Sequence, residues 1–149
     1  MKNKNISSDA KYILLEQYRI AVDIADRMTA RKEVTNKLFI SAHAVIFTYL
    51  ASQELHSNSN LLVPVFGIFL CFVWVSIIRN YKILNNAKFE VIEEMETRLP
   101  WNVFKSEWDK LGRGRNKKVY QSMSSLELKI PFLFALLYFI FFFVNAWNF

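Results

Sequence analysis

The apolar residues of this chain gather in three stretches, and between them polar and charged residues recur at helical spacing. The stretches cover residues 38–55, 61–78 and 130–147, and none of them contains a lysine or an arginine. Each is about 18 residues long, or roughly 27 Å as a helix, which nearly matches a hydrocarbon core of about 30 Å. The pattern predicts three transmembrane helices.

The cationic residues give these three spans an orientation. Of the 19 lysines and arginines, eight precede the first span, eleven lie between the second and third, and residues 56–60 have none. Cationic residues near span ends are retained on the cytoplasmic side. We therefore expect a cytoplasmic N-terminus, a short outer turn between the first two spans, and a C-terminus on the outer side of the membrane. The same topology accounts for the net charge of +6 without a nucleic-acid partner, and none is expected.

The segment before the first span has the spacing of an amphipathic helix. Its apolar positions are separated by four, three, four and three residues, and neither glycine nor proline interrupts it before the span. Such a helix either lies on the inner leaflet or packs against another cytoplasmic helix. Acids dilute its basic face, which favours packing. The positions are Leu14, Tyr18, Ala21, Ala25 and Met28.

The helical pattern of the second span continues past the membrane until Pro100. A short aromatic-faced helix follows and stops at Gly112. A helix that projects from the membrane with an apolar stripe needs a partner, and the short helix is one candidate. The stripe consists of Leu84, Ala87, Val91, Met95 and Leu99, and the short helix carries Trp101, Phe104, Trp108 and Leu111.

Seven residues are predicted to lie at contacts between helices, and most of these contacts are expected between subunits. Ser41, Ala44 and Thr48 form a stripe of small residues in the first span, where small side chains let helix backbones approach closely. The other four come from the cytoplasmic apolar faces just described. They are Val91, Met95, Trp101 and Trp108.

Two acidic features admit structural interpretations. Glu93, Glu94 and Glu96 lie opposite an apolar face, and we expect a solvated or intersubunit surface rather than a general-base pair. Ser124 and Glu127 have the spacing of a capping box at the start of the third helix. Pro131 conflicts with that start, so the helix either kinks there or begins again near residue 130.

No catalytic, metal or cofactor site is predicted, and the chain is expected not to be an enzyme. His43 and His56 have no zinc-binding spacing, and Cys71 has no base near it in the sequence, so Cys71 is interpreted as a packing residue. His43 lies inside a span, where it is either a functional polar residue, for instance in a pore, or a neutral imidazole bonded to a neighbouring helix. A basic loop is a candidate anion-binding site; it contains Arg113, Arg115, Lys117 and Lys118.

From about residue 12 to residue 131 the chain resembles the RipA-like octameric membrane proteins of bacteria. The resemblance is carried by YRIAVDIADRMTAR at residues 18–31, by IRNYK at 78–82, and by later short blocks. His43 departs from it, since Asn is expected there. The resemblance implies a homo-octamer in the inner membrane, with cytoplasmic helices in the assembly, and it implies no established enzymatic activity. The other positions that carry the resemblance are Asn36, Phe39, Trp74, Leu84-Asn85, 87–89, 99–100, 107–108, 126–127 and 130–131.

Together these features predict an all-α, polytopic membrane protein organised as one integrated domain. Its segments are a cytoplasmic amphipathic helix (1–37), spans at 38–55, 61–78 and 130–149, and a cytoplasmic helical segment (79–129). The predicted function is a non-enzymatic, ring-forming scaffold or interaction platform whose partners are membrane lipid and further copies of itself. A gated channel or pore-forming effector is the alternative, although no span has the continuous polar face of an open pore. The sequence identifies no other protein partner.

Overall fold

A computed structural model of the protein describes residues 8–52, 61–114 and 123–147, and in these residues it contains helices and no strand. The helices are α1 (Ser8–Ser52), α2 (Leu62–Glu96), α3 (Val103–Lys110), α4 (Met123–Glu127) and α5 (Lys129–Trp147), with a 3₁₀ turn at Gly112–Gly114. Segments within α1, within α2 and at Ser125–Ala146 are long and apolar enough to cross a membrane. The predicted all-α fold with three spans is confirmed.

Helix α1 runs for 45 residues without interruption, as its lack of glycine and proline predicts. Two ion pairs along its polar face join Arg19 to Glu16 at 3.7 Å and Arg27 to Asp23 at 2.7 Å. Exposed pairs at this spacing contribute only about 0.3–0.5 kcal/mol each. The length of the helix therefore depends mainly on packing and on the membrane rather than on these pairs.

A proline lies near each end of helix α2, one inside its first turn and one shortly after its last residue. Pro64 lies in the first turn, where a backbone N–H would have no helical partner. The helix ends at Glu96, three residues before the predicted Leu99, and a tightened turn follows. In that turn the amides of residues 97–99 donate to the carbonyls three residues earlier, at 3.0–3.2 Å. Pro100 disfavours helical geometry at Leu99, which accounts for the earlier end.

The third span does not begin with the predicted capping box. Ser124 lies inside α4, which ends at Glu127, and α5 begins at Lys129. Pro131 then falls in the first turn of α5, where its missing N–H costs little. Of the two alternatives that Pro131 left open, a new helix near residue 130 is the one found.

The described residues form two compact units. The first contains those of 1–30 and 83–121, and the second those of 31–82 and 122–149. The first unit is built from the beginning of α1, the end of α2, and α3. The second holds the span segments around a core of Leu50, Cys71 and Tyr138, with Phe47 and Phe134 among the side chains packed on it.

Candidate functional site

Polar side chains of the spans meet in a buried cluster of the second unit, centred on His43. The imidazole is fully buried, and its Nδ1 lies 2.9 Å from the hydroxyl oxygen of Tyr138. Its Nε2 lies 3.8 Å from the sulfur of Cys71. A neutral imidazole has one donor and one acceptor nitrogen, and a hydroxyl and a thiol can each complement either role. Both ring nitrogens therefore have a suitable partner.

Aromatic rings enclose this histidine. Its ring stacks on Phe134, with centroids 4.9 Å apart, and on Trp74, with centroids 5.6 Å apart. The indole N–H of Trp74 donates to the amide oxygen of Asn36 at 2.9 Å, and Phe39 stacks on the same indole at 5.4 Å. Polar residues that bond across helices hold membrane bundles together, at about 0.6 kcal/mol per bond on average. The cluster thus joins α1, α2 and α5.

The position of His43 bears on the two roles that the sequence left open. The bond to Tyr138 is the contact expected of an imidazole held by a neighbouring helix. Because His43 is fully buried within one chain, it presents no surface that would line an axial path between subunits. A functional role for His43 beyond this contact stays a prediction.

The proximity of Cys71 to a histidine was missed from the sequence, which places the two residues 28 positions apart. A signal was nevertheless present, because two adjacent antiparallel spans bring residues equally far from their connection to the same depth. His43 and Cys71 lie almost equally far from residues 56–60. The structural interpretation of Cys71 agrees with its place in the hydrophobic core.

A second polar contact in this unit joins Lys32 of α1 to Glu127 of α4. The ammonium lies 3.1 Å from one carboxylate oxygen, and each side chain is only 17% exposed. The other oxygen, Oε2, is buried and has no hydrogen-bond partner among the described residues. Glu127 therefore acts as an ion-pair partner, which the capping-box interpretation did not anticipate.

In the first unit, the decisive polar residue is Glu96. Its side chain is fully buried, and Oε1 accepts hydrogen bonds from the Tyr18 hydroxyl at 3.0 Å and the Phe104 amide at 2.9 Å. Oε2 accepts from the Lys105 amide at 3.1 Å. These amides belong to the first turn of α3, where unpaired N–H groups attract negative charge. The carboxylate of Glu96 thus caps α3 from another helix.

This capping arrangement corrects the expected acidic surface. Glu94 is exposed as predicted, but Glu96 is buried inside the chain and belongs to no solvated face. Asn102, at the N-cap position of α3, makes no side-chain capping bond within the described part of the chain. Glu96, on the preceding helix, accepts the hydrogen bonds that a local N-cap side chain usually accepts.

The environment of Glu96 also affects the acidity of Tyr18. Burial of the phenol, together with its hydrogen bond to Glu96 and the charge of that carboxylate, raises the pKa of Tyr18 to about 12. Ionising Tyr18 would remove the donated proton and place two negative charges side by side. The bond therefore persists at physiological pH.

The structure also locates the residues predicted to pack helices. Ser41, Ala44, Thr48, Val91 and Trp101 are exposed in the single chain, Trp108 is partly exposed, and Met95 is half-buried. Exposure in one chain is what an intersubunit surface requires, but it is equally what lipid or water would produce. Their role in packing between subunits stays a prediction.

Near its end, α2 buries a face that differs from the predicted apolar stripe, which was expected to meet α3. Ile92 and Glu96 are buried, and Phe89 packs edge-on against Phe104 of α3 with centroids 5.5 Å apart. The predicted stripe is instead open over much of its length, with Leu84 51% and Val91 55% exposed. The part of the stripe around Leu84 and Val91 is therefore left largely uncovered, whereas Met95 and Leu99 are half-buried.

The basic loop is only partly described. Arg113 lies in the left-handed region, with φ of 51°, and its Nε donates to Asp109 at 2.6 Å. This pairing raises the pKa of Arg113 and lowers the pKa of Asp109. Arg115, Lys117 and Lys118 lie outside the described residues, so anion binding by this loop stays a prediction.

Comparison with known proteins gives one family. No curated protein and no solved structure matches the chain. Residues 15–147 match the Octameric membrane protein family (8xMP), so the match covers all three spans and the helices between them. It also agrees with the resemblance drawn from the sequence blocks. The chain belongs to the octameric membrane protein family.

Proposed function

We propose that this protein assembles into a homo-octameric ring in the bacterial inner membrane and serves there as a non-enzymatic scaffold or interaction platform. The observation that carries the proposal is the open stripe around Val91, an apolar helix face outside the predicted spans, in a chain whose family is octameric. Large apolar surfaces that face water usually mark sites of protein association. A ring of subunits would cover them.

The proposed orientation is supported by the charge distribution. All lysines and arginines lie before the first span or between the second and third, so the first unit would be cytoplasmic. The C-terminus would be periplasmic. In this orientation the platform faces the cytoplasm, where α3 and the exposed Trp101 would be accessible to other proteins.

A gated channel is the alternative function, and the described polar groups of the spans give it little support. His43 is enclosed within one chain, and the hydroxyl of Thr48 donates to the carbonyl of Ala44 at 2.9 Å. The amide of Asn145 donates to the carbonyl of Phe141 at 2.8 Å. Polar groups that are paired within their own chain do not need an aqueous path beside them.

The assembly is tested with the double variant Val91→Asp and Trp108→Asp, whose mass in lipid nanodiscs is compared with that of the wild type. Burying two carboxylates in an apolar contact is costly, so we expect the octamer to dissociate. Asn86→Asp, an exposed position on α2 outside the stripe, is the matched control and should remain octameric. An octamer that survives the double variant would contradict the proposed contacts.

A measurement of ion flux distinguishes the scaffold function from the channel function. Wild-type protein in sealed vesicles should not change the rate at which a potassium gradient collapses. A clear increase over protein-free vesicles would favour the channel instead.

A further inference from the structure

Within residues 8–30 and 83–114, the described part of the first unit, two apolar helix faces are largely uncovered, and they lie on different helices. On α1 the residues Ile13, Ile20 and Ile24 are about half exposed. On α2 the face consists of Leu84, Ala87 and Val91, all exposed. We call these the α1 stripe and the α2 stripe. Both lie outside the three apolar stretches that predict the spans.

Among the described residues, both stripes lie away from the side chains that pack inside the first unit, and their large side chains stay about half exposed. Helix α1 turns Tyr18 and Ala25 inward, and α2 turns Ile92 and Glu96 inward. At 100° per residue, Ile20 points about 140° away from Ala25, and Val91 about 100° away from Ile92. Packing among the residues that the structure describes therefore leaves both stripes largely open.

We infer that the α1 stripe of one subunit packs against the α2 stripe of the next, forming the head-to-tail contact of the ring. The inference rests on the proposed homo-oligomer and names its interface. A closed ring of more than two subunits requires two different, complementary surfaces on each subunit. The first unit offers two such surfaces, which identifies a second copy of this chain as the occupant of each.

The spacing of the stripes suits helix-to-helix packing. Ile13, Ile20 and Ile24 are separated by seven and four residues, and Leu84, Ala87 and Val91 by three and four. These are the intervals at which one helix repeatedly meets another along a seam. Ala87, in the middle of the α2 stripe, is small enough to allow close approach of the partner helix.

The two stripes also lie at matching levels. Tyr18 and Glu96 are bonded, so they mark one level of the two helices. Ile20 and Ile24 lie about 3 and 9 Å from Tyr18 along α1, and Val91 lies about 7.5 Å from Glu96 along α2. Because α1 and α2 run antiparallel, Ile20 and Ile24 are displaced from Tyr18 in the same direction along the helices as Val91 is displaced from Glu96. Rotation about a ring axis parallel to these helices keeps levels unchanged, so Val91 would fit between Ile20 and Ile24 of the neighbour.

Charges of opposite sign flank the two stripes; along their helices Arg27 lies about 13.5 Å from Tyr18, and Glu90 lies about 9 Å from Glu96. Arg27 follows Ile20 by one heptad on α1, and the exposed Glu90 lies beside Val91 on α2. Near the other end, exposed Glu16 of α1 and Arg98 beyond α2 carry the reverse pair of charges. Opposite charges at the rim of an apolar contact favour one register and one partner.

Cysteine cross-linking tests this pairing directly. We would co-express Ile24→Cys and Val91→Cys as separately tagged chains, oxidise the membranes, and look for a disulfide-linked dimer carrying both tags. The two Cβ atoms need to approach within about 4.5 Å for a disulfide. We expect the mixed dimer to become a major species, whereas neither variant expressed alone should cross-link to itself.

Two controls accompany the experiment. Wild-type chain reports on Cys71, which is buried and should give no dimer. Asn86→Cys co-expressed with Ile24→Cys places a thiol on α2 outside the stripe and should cross-link far less.

The outcomes distinguish this inference from the proposed function. Self-cross-linking of Val91→Cys alone would mean a two-fold contact and would overturn the inference. An intact wild-type octamer without any mixed dimer would also overturn it while leaving the ring in place. In that case, labelling of Ile24→Cys by a water-soluble maleimide is compared with and without vesicles. If the cysteine is protected from labelling only in vesicles, lipid is the occupant of the α1 stripe. A monomeric wild type would refute the ring itself.

A second pair of variants does not depend on disulfide geometry. Ile20→Asp and Val91→Asp each inactivate one stripe, so each alone should fail to form rings. Mixed together, the intact α2 stripe of the first variant and the intact α1 stripe of the second should pair once. We expect dimers and nothing larger; a mixture that stays monomeric would contradict the head-to-tail contact.

Discussion

Tyr18 donates a hydrogen bond across 78 residues of sequence to the buried carboxylate of Glu96. The same carboxylate receives two amides of the first turn of α3. One side chain therefore fixes α3 to α2 and both to α1. Because the first unit carries the proposed ring contacts, the integrity of this junction is expected to control assembly.

Removing the carboxylate should loosen α3. In Glu96→Ala the hydroxyl and two amides lose their acceptor, and we expect a loss of about 2–4 kcal/mol in the free energy of unfolding. Hydrogen exchange at the Phe104 and Lys105 amides should accelerate accordingly. Glu94→Ala, at an exposed acid two residues earlier, is the control and should change exchange little. Equal exchange rates in the two variants would show that Glu96 does not hold α3.

The raised pKa of Tyr18 predicts a loss of stability in alkaline solution. The folded pKa of about 12 lies above the ordinary value of 10.0, so the folded state favours the protonated phenol. The contribution is fully present below about pH 10 and is lost as the pH rises towards 12. Tyr18→Phe lacks this group, so the difference in melting temperature between wild type and variant should shrink over that interval. A difference that stays constant to pH 12 would contradict the assignment.

The histidine cluster should be energetically coupled to Tyr138. His43→Leu leaves the Tyr138 hydroxyl without its partner inside the membrane, and Tyr138→Phe leaves His43 Nδ1 unpaired. A double-mutant cycle should give a coupling of about 0.5–1.5 kcal/mol, measured by unfolding in mixed micelles. Effects of the two substitutions that simply add would mean that the bond contributes nothing to stability.

A side chain at Gly67 should destabilise the packing of the spans. A Cβ placed there would lie 2.5 Å from Cζ of the Tyr138 ring, so Gly67→Ala must displace the ring that bonds His43. Overpacking of this kind costs about 1–3 kcal/mol, and the melting temperature should fall. Ser76→Ala, at an exposed position of the same helix, is the control. Wild-type stability of Gly67→Ala would show that the helices separate freely at this point.

The helices were largely predictable because apolar periodicity and chain breakers are local features of the sequence. The stretches without lysine or arginine predicted the spans, and the Trp101–Gly112 pattern predicted α3 to within two residues of its start. The absence of Gly and Pro before residue 52 predicted the continuity of α1. In each case neighbouring residues carry the signal.

The polar contacts were less predictable because they depend on which helix faces meet. Glu96 has the same local setting as Glu93 and Glu94, and only the fold directs it towards α3 and Tyr18. Glu127 fits a capping box by spacing, yet Lys32 is its partner in the structure. The inward face of α2 likewise differs from the apolar stripe, since the inward face includes the acid that caps α3.

Reconstruction by electron cryomicroscopy in lipid nanodiscs would show whether the protein forms an eight-membered ring that can act as a platform. We expect eightfold symmetry, α1 and α2 stripes of neighbouring subunits in contact, and an axis filled by lipid or packed side chains. A monomer, or a ring whose axis is a continuous hydrated path lined by residues such as Ser41 and Thr48, would contradict this expectation.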